Sequence, residues 1–553
     1  MAQLVERAQR SFIAGMNDAS EPDEYTEQEV AAMYNARVSH NGDAAERRGG
    51  SKRSHSSALN SGARIYGATE FYDADGDRFL VVIAGSVAYT SADDGVTWTQ
   101  RATGLPLGAW DFTVMQSGAA RLLIAVVGSG APQTWDGTTW QDLTGSGIPS
   151  DALVCEYHNN RLWLWPDGVT LYGSKVDDPT IFTVASGGVT VRIENPNGDP
   201  TPRGLWSFGP ALLAFTLDNV GFVEGWGLNS IQVLTGHRGL SRSLGCVSHR
   251  TIAAAGDTGL IWLSKQGFVF MPLGGSPVLI SGQIERFTDS IAWDNVTDNP
   301  DIPAAIWYAL QHEYHCSVPA SGNNQNTHTV VIRPPSASRP LGIWINRAEE
   351  DDDQSFIITD GVLELTTGGR EAAITGGVLE LLDAGESGLA ATLTDNVLEL
   401  ATNNFLPATL FIADHETENE TAVLWSGGYD GFVRREDYGD KDDVLSDGTG
   451  GEDINAWIRT RPDAWDDQFR RKHIRSVRTA VKAEAGGTLS VAPVVDGVVG
   501  TETDHTLTAQ ATTQVIRTRV TGRGYIGQVD LRFTDALTIQ GCAPAAALMD
   551  EGL

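Results

Sequence analysis

Two short runs in this sequence have residue types and spacings that metal sites use. HEYHC brings His312, His315 and Cys316 together, with His328 downstream, and imidazole and thiolate groups are ligands that zinc prefers. The run reads as a strand entering a turn, and in a strand His312 and His315 point to opposite faces. The spacing therefore favours a strand without a zinc site.

The run DADGD, from Asp73 to Asp77, alternates aspartates as calcium loops do. The twelfth position of such a loop should be Glu, and here it is Ala84. Asp and Gly also favour tight turns, so we predict a hairpin turn instead.

Motifs for catalysis are absent from the sequence. No lysine stands in a GxxxxGK[ST] frame, and neither HExxH nor GxSxG occurs. The 71 acidic residues include no pair whose spacing marks it for glycoside cleavage. We predict no catalytic residue, no metal and no cofactor, and therefore no enzyme.

The run SADDGVTW has the Asp-box pattern, which is a structural motif of propeller hairpins. Ser91, Asp93, Gly95 and Trp98 occupy its four positions. The aspartate fixes the turn, the glycine allows positive φ, and the tryptophan anchors the hairpin to the sheet. The motif predicts a turn and no sialidase chemistry.

The elements that carry these motifs are short strands separated by glycine turns. From about Ile65 onward the chain repeats a strand, turn, strand unit every few tens of residues, which favours a β-propeller. We predict a mainly β fold with propeller blades over 61–348, and a return to the propeller over 406–440.

Three near-identical runs interrupt this pattern and predict an insertion over 349–405. ITDGVLEL, ITGGVLEL and LTDNVLEL start at Ile358, Ile374 and Leu393. Each is a turn flanked by strand residues, so the copies should stack as parallel coils or a small meander. Glu364, Glu380 and Glu399 would then align on one face, either as a solvated spacer or as a finger that narrows a channel.

The first 60 residues predict an assembly arm containing one short helix. Thr26 and Glu29 have capping-box spacing, and Val30, Met33 and Val38 follow near helical spacing. A short amphipathic helix with one apolar face needs a partner, which makes this segment an assembly device.

The chain from 441 to 553 predicts a separate antiparallel β domain. An acidic stretch over 440–453 is followed by a basic run that includes Arg470, Arg471, Lys472, Arg475 and Arg478. Such runs are commonly solvated strand faces, but the change of sign also suits contact between neighbouring copies.

The net charge of −32, from 39 basic and 71 acidic residues, argues against sequence-specific DNA binding. Adaptation to a salty habitat and simple solubility both explain the charge. So does a repulsive conduit wall, because like charge within a Debye length of roughly 8 to 10 Å would keep passing DNA from adhering.

No run of about 18 apolar residues occurs, so we predict neither a signal peptide nor a membrane span. The four widely spaced cysteines, Cys155, Cys246, Cys316 and Cys542, should be free and mostly buried thiols, which fits a reducing cytoplasm.

The order of residues near the start of the chain resembles that of tail nozzle proteins of short-tailed bacteriophages, the tail tubular protein B-like family. The resemblance is carried by aromatic, glycine, asparagine and arginine positions, and it continues loosely through segments 158–182, 236–271 and 453–533. The residues it singles out as assembly candidates are Phe12, Asn17, Asn35, Arg47 and Arg48, with Arg470, Arg471 and Lys472 from the basic run.

The resemblance implies a podovirus virion protein, assembled in the host cytoplasm and located in the tail. Copies would form a hexameric ring below the portal adaptor at the head-tail connection, retaining the genome and conducting it during DNA ejection. The arm and the C-terminal β domain would together form a platform that makes ring and adaptor contacts. DNA would be a non-specific passenger, and tail fibres or a tail needle could attach.

Two other functions fit a tail propeller. A receptor-binding or carbohydrate-binding protein would use exposed tryptophans as sugar platforms. A tail-borne glycan hydrolase would use a pair of acidic residues to cleave host polysaccharide.

Overall fold

The computed structural model describes residues 4–6, 8–21, 24–40, 42–193, 200–224, 232–235, 243–320, 323–336, 339–346, 407–465 and 471–548, with six strands between 356 and 400. Strands dominate, as the sequence predicts. The described helices are short: Leu59–Gly62, Val184–Ser186, His249–Thr251, Ser281–Ile284, Glu285–Asp289 and Trp293–Asp298.

Seven four-stranded units in the described chain form a β-propeller. In each unit the four strands pair antiparallel, and first strands of most neighbouring blades contact one another, which makes them the innermost. Blade 1 comprises Ile65–Tyr72, Arg78–Ala84, Val87–Ser91 and Thr99–Thr103. Blade 2 comprises Asp111–Ser117, Ala120–Val126, Gln133–Trp135 and Trp140–Asp142. Blade 3 comprises Ala152–His158, Arg161–Pro166, Thr170–Gly173 and Val189–Arg192.

The remaining blades follow in chain order. Blade 4 comprises Gly204–Phe208, Ala211–Phe215, Val220–Glu224 and Gln232–Thr235. Blade 5 comprises Ala253–Ala254, Gly259–Ser264, Gly267–Pro272 and Val278–Leu279. Blade 6 comprises Ala304–Tyr308, Glu313–Val318, His328–Arg333 and Gly342–Asn346. Blade 7 comprises Pro407–His415, Glu420–Gly428 and Val433–Glu436, with Ser51–Arg53 as its outermost strand.

Segments that are distant in sequence close the ring of blades. The innermost strand of blade 7, Pro407–His415, packs on the innermost strand of blade 1, Ile65–Tyr72. The outermost strand of blade 7 comes from the N-terminal arm, with Arg53 in register with Arg434. Blade 7 therefore combines strands from before blade 1 and after blade 6 in the sequence, and this joins the first blade to the last.

The arm and the C-terminal chain together build a two-sheet platform. One sheet has six strands: Leu4–Glu6, Ala36–Val38, Ala45–Arg47, Lys472–Ala483, Gln510–Gly524 and Leu537–Leu548. The other continues from blade 6 through Gly15–Met16, Glu29–Tyr34, Ala456–Thr460, Gly527–Phe533, Gly487–Val495, Val498–Val499 and Thr503–Leu507. The predicted fold class, a propeller with a platform formed by the arm, is confirmed.

Platform and propeller share one hydrophobic core. A single cluster of buried side chains includes Phe268 of blade 5, Trp344 of blade 6, Met33 of the arm and Val477 of the C-terminal chain. Because the two parts bury one common apolar surface, they form a continuous body instead of two linked domains.

The helix predicted after Thr26 does not form. Residues Glu29–Tyr34 and Ala36–Val38 are strands, although the local contact expected of the capping box exists, with the Thr26 amide donating to the Glu29 carboxylate at 2.7 Å. Glu29–Tyr34 lies between Gly15–Met16 and Ala456–Thr460 in the sheet. Pairing on both sides outweighs a weak local preference for helix.

The repeats fall in the region between blades 6 and 7. The first copy forms a hairpin of Phe356–Thr359 and Val362–Leu365. The other two form an antiparallel meander of Glu371–Thr375, Val378–Leu382, Ala390–Thr394 and Val397–Leu400. The pairing is that of a meander and not of parallel coils; the side chains of Glu364, Glu380 and Glu399 lie outside the described part.

A short strand pair, Lys441–Asp442 with Glu452–Asp453, spans the acidic stretch after blade 7. All four cysteines are free and buried, as the sequence predicts.

Candidate functional site

The Asp-box turn in blade 1 has the predicted structural role. The Asp93 carboxylate accepts hydrogen bonds from the Ser91 hydroxyl at 2.7 Å and from the Thr97 amide at 2.9 Å. Gly95 has φ of +78°, and its amide donates to the Ser91 oxygen at 2.9 Å. Trp98 packs against the core between blades 1 and 7. The motif fixes a hairpin to the propeller.

The two runs that suggested metal sites have structural roles. Asp73 accepts the amides of Asp75 and Asp77 at 2.9 Å each, which closes the predicted turn. His315 contacts the buried Glu313 at 3.1 Å, while Cys316 lies in the core of blade 6. Within the described chain, no group of three or more His, Cys, Asp or Glu side chains is arranged to hold a metal ion.

Two carboxylates in the innermost strands have strongly perturbed acidity. Burial raises the pKa of Asp111, in blade 2, to about 7, even though its oxygens accept amides of Cys155 at 2.9 Å and Phe112 at 3.0 Å. Burial, with the nearby Asp111, raises the pKa of Glu156, in blade 3, to about 8. Each carboxylate accepts a hydrogen bond from a backbone amide of the next blade. Asp111 accepts the amide of Cys155, and Glu156 accepts that of Ser207. These contacts link the inner strands of blades 2, 3 and 4.

An arginine cluster links the four other blades, 5, 6, 7 and 1. Arg250, before blade 5, donates to the carbonyl of Asp301 ahead of blade 6 and to that of Ala408 in blade 7, the latter at 2.5 Å. Arg64, ahead of blade 1, reaches the same Asp301 carbonyl at 2.5 Å. Burial lowers the pKa of Arg250 to about 10, so the group is still charged at neutral pH.

Blades 1 and 7 meet at a buried ion-pair network. Arg78 contacts Glu70 at 2.6 Å and Asp94 at 2.8 Å. Asp94 also accepts the Thr417 amide of blade 7 at 2.9 Å. Burial acts to raise the pKa of Asp94, but the hydrogen bonds from Thr417 and Arg78 lower it to about 2. The charge of Asp94 is therefore part of the ring closure.

The arm, blade 7 and the acidic stretch meet at a second network. Arg48 forms a two-pronged ion pair with Asp442, with one contact at 2.8 Å. Asp443 accepts Arg53 at 2.8 Å and the buried Arg434 at 2.7 Å. The acidic stretch 440–453 thus contributes two aspartates, Asp442 and Asp443, to contacts within its own chain.

A small cavity of about 40 Å³ lies beside this second network. Its lining includes Arg37, Glu313, His315 and Asp437, with Asn346 and Pro407 from either side of the insertion. Arg37 contacts Asp437 at 2.7 Å. At this volume the cavity has room for a few water molecules between charged groups.

Most of the predicted assembly residues make contacts inside the chain, which corrects the expectation that they face another copy. Phe12, Asn17, Arg48 and Lys472 are all buried. The Asn17 amide donates to Glu29 at 3.0 Å, within the arm.

The other candidates divide between internal contacts and the surface. The Asn35 oxygen accepts Arg48 Nε at 2.9 Å, and Arg47 donates to the Thr534 carbonyl at 2.5 Å. Arg471 is exposed and lies over the Tyr525 ring at 5.8 Å. Arg470 lies outside the described residues. The arm residues thus build the platform instead of protruding from it.

The structure brings together an exposed basic surface of which the sequence predicted one strand and missed the other. Arg475 and Arg478 of the predicted basic run lie on strand Lys472–Ala483, beside arginines of the neighbouring strand Gln510–Gly524. The second group is Arg517, Arg519 and Arg523. Their alternate spacing in QVIRTRVTGR was the available signal, because residues two apart share a face of a strand.

No helix in the described ranges is both long enough and apolar enough to cross a membrane. Every described tryptophan, which is all but Trp226, is buried or half-buried.

Neither the protein-family models nor the curated proteins give a match to this chain. Similar solved structures include the WD40 β-propeller domain of Doa1, at 10% identity over 70% of this chain and 96% of that chain, with a TM-score of 0.36. YCF48 from Cyanidioschyzon merolae matches at 12% identity over 70% and 98% of the two chains, with a TM-score of 0.34. A glycoside hydrolase family 43 arabinoxylan arabinofuranohydrolase from Bacillus subtilis matches at 12% identity over 89% and 97%, with a TM-score of 0.24. No functional argument follows from similarity at this level, and the propeller assignment rests on the seven blades themselves.

Proposed function

We propose that this chain is a structural virion protein, a tail nozzle subunit of a short-tailed bacteriophage. Copies associate through the platform into a ring, most simply of six, that continues the DNA exit channel below the portal adaptor. The ring retains the packaged genome and conducts it during ejection. Chemistry on a substrate is no part of this role.

The observation that carries the proposal is a long free sheet edge on the platform. Strand Gln510–Gly524 has 15 residues and is paired on one side only, with Lys472–Ala483, among the described strands. Proteins usually keep edge strands short or cover them, because an open edge is a template for another chain. In a subunit that joins its neighbours through the platform, this edge could pair with a strand of the next copy.

Two further features support a structural role. Platform and propeller share one core, so a force on the platform reaches the blades directly. The strongly shifted carboxylates Asp111, Glu156 and Asp94 all bond to backbone of an adjacent blade. Burial raises the pKa of Asp111 and Glu156, and hydrogen bonds lower that of Asp94, so each shift has a structural cause.

The test is assembly of the purified full chain, alone and with the portal adaptor. Mass photometry and negative-stain images should show rings with a central hole, and antibody labelling should place the chain in the virion tail. A chain that remains a monomer at micromolar concentration with the adaptor present, and that is absent from mature virions, would overturn the proposal.

The rival functions make different predictions. A sugar-binding propeller needs exposed aromatic platforms, whereas the described tryptophans are at least half-buried. A glycan hydrolase would need an acidic pair, and the shifted pair in the described chain is Asp111 with Glu156. Cleavage of host polysaccharide that disappears in a D111N/E156Q variant, while the fold is retained, would favour the hydrolase.

A further inference from the structure

The outer surface of the six-stranded platform sheet carries a concentrated positive patch, here called the arginine face. It consists of five exposed arginines on the last two strands: Arg475, Arg478, Arg517, Arg519 and Arg523. Core side chains of the same strands, such as Val477 and Val520, point the other way. Val515, 69% exposed, continues the face along the free edge.

The strand register places positive charges directly against one another. Arg478 lies opposite Arg517, and His473 lies opposite Arg523. Like charges at opposite positions of an antiparallel pair are destabilising. The effect is visible at His473, whose pKa is lowered by burial and then by Arg523 and Arg475.

Four of these arginines, Arg475, Arg517, Arg519 and Arg523, differ in their contacts from the arginines of the buried networks. Arg48, Arg53 and Arg434 are each held by a carboxylate of the same chain. By contrast, no described carboxylate forms an ion pair with Arg475, Arg519 or Arg523, and Arg517 contacts only the Ser476 hydroxyl, at 3.5 Å. A protein with net charge −32 thus keeps one positive surface exposed and locally strained by its own repulsion.

We propose that the arginine face binds carboxylates on the surface of a second copy of this chain. Guanidinium groups pair with carboxylates through two parallel hydrogen bonds, and the copy next to the free edge has a large excess of acids. The pairing would offset the repulsion within the face. This inference rests on the proposed ring and names the chemistry of its contact surface.

A nucleic acid is the other polyanion that such a face could attract. The net charge of the whole chain repels a duplex, and phosphate binding needs a surface that is positive over a wide area. The face spans only two strands, which suits a local carboxylate contact better. DNA binding is therefore an outcome that the experiment must distinguish.

The experiment compares a face variant with a matched control. The face variant carries Arg475→Glu, Arg519→Glu and Arg523→Glu. The control carries Arg121→Glu, Lys175→Glu and Arg286→Glu on the propeller, with the same change in net charge. We expect self-association of the face variant, measured by mass photometry, to weaken on the order of 100-fold, and that of the control to change much less. Thermal unfolding of both variants checks that they fold.

Further variants locate the contact and guard against misfolding. Replacing the same three arginines with Gln removes charge without reversing it and should give an intermediate loss. The single variant Arg519→Lys keeps the charge and adds an exposed amine to the face. The lysine already present at the start of the neighbouring strand, Lys472, is buried and does not compete for coupling. Zero-length carbodiimide coupling should then join residue 519 to an acidic residue of another copy.

The outcomes separate this inference from the proposed function. Rings that form equally well in wild type and in the folded Glu and Gln variants overturn the arginine face and leave the nozzle proposal standing. A wild-type chain that never self-associates overturns both. Salt-dependent binding of a short DNA duplex that is lost in the face variant, with rings unchanged, would assign the face to nucleic acid and overturn the inference.

Discussion

Several buried charges in this protein lie where segments distant in sequence meet. Arg48 and Asp442 are separated by 394 positions, and Arg78 reaches the blade 7 backbone at Asp414. A buried charge is costly unless it is paired, so each such group strongly disfavours structures in which its partner is elsewhere. At the scale of single residues, these buried charges favour the one arrangement of blades in which every charge meets its partner.

The substitution Asp111→Asn tests this interpretation through pH. The folded-state pKa of Asp111, about 7, lies above the ordinary value of 3.8, so the folded protein keeps a proton that the unfolded chain releases. Wild type should therefore lose stability as pH rises from about 4 to about 7, and the variant should lose less. At pH 8 we expect the variant to melt roughly 2 to 4 °C higher.

Differential scanning fluorimetry across this pH range measures the effect. The exposed Asp257→Asn serves as the control and should leave the pH profile as in wild type. If the Asp111→Asn profile parallels that of wild type, the Asp111 proton plays no part in stability.

At the scale of elements, the arm is a structural part of two neighbouring blades. The Asp18 carboxylate accepts the amides of Arg286 and Phe287, at 3.0 and 2.8 Å, at the start of the helix Glu285–Asp289 after blade 5. Gly15 pairs in parallel with Ile343 of blade 6. The segment Glu29–Tyr34 is a strand because its backbone groups pair with Gly15–Met16 on one side and Ala456–Thr460 on the other.

Gly15→Ala should weaken the contact between the arm and blade 6 and lower the stability of the fold. A Cβ at this position would lie 2.1 Å from the Ile343 carbonyl oxygen, and φ is +67°. Gly76→Ala is a matched control, because φ there is +90° but no atom lies within 4 Å of the added carbon. Backbone strain of about 1 to 2 kcal/mol should be common to both, so the additional loss of Gly15→Ala measures the steric clash.

Urea unfolding followed by tryptophan fluorescence provides this comparison. Equal unfolding midpoints for the two alanine variants would show that the close approach of arm and blade is relieved without cost.

At the scale of the whole molecule, the insertion over 349–405 is an addition to a propeller that closes without it. Asn346 and Pro407, the described residues on either side of it, line the same small cavity. The chain thus leaves the fold and returns at nearly one place, and loops of this kind tolerate deletion because closure depends only weakly on loop length.

Replacing residues 351–404 with a short Gly/Ser linker should leave the melting temperature within about 2 °C of wild type and leave ring assembly intact. Genome retention in phage carrying the deletion then tests whether Glu364, Glu380 and Glu399 gate the channel. Loss of cooperative unfolding in the purified variant would show instead that the insertion is part of the core. The Asp257→Asn protein, in which the insertion is intact and the changed side chain is exposed, controls for general loss of virion yield.

The amino-acid sequence by itself determined the features that depend on neighbouring residues. Alternation of apolar residues and glycine turns predicted the strands, the Asp-box spacing predicted a fixed hairpin, and DADGD predicted a turn. Each is a local property, because side-chain direction and turn geometry follow from two to eight consecutive residues.

Only the tertiary structure decided which strands join one another. The helix expected after Thr26 became a strand because residues 456–460 pair with it. Phe12, Arg48 and Lys472 proved to be buried supports, and the arginine face arose because residues 475–478 and 517–523 lie side by side. Local sequence cannot encode such neighbours, since pairing between segments hundreds of residues apart is set by the shared core that they bury together.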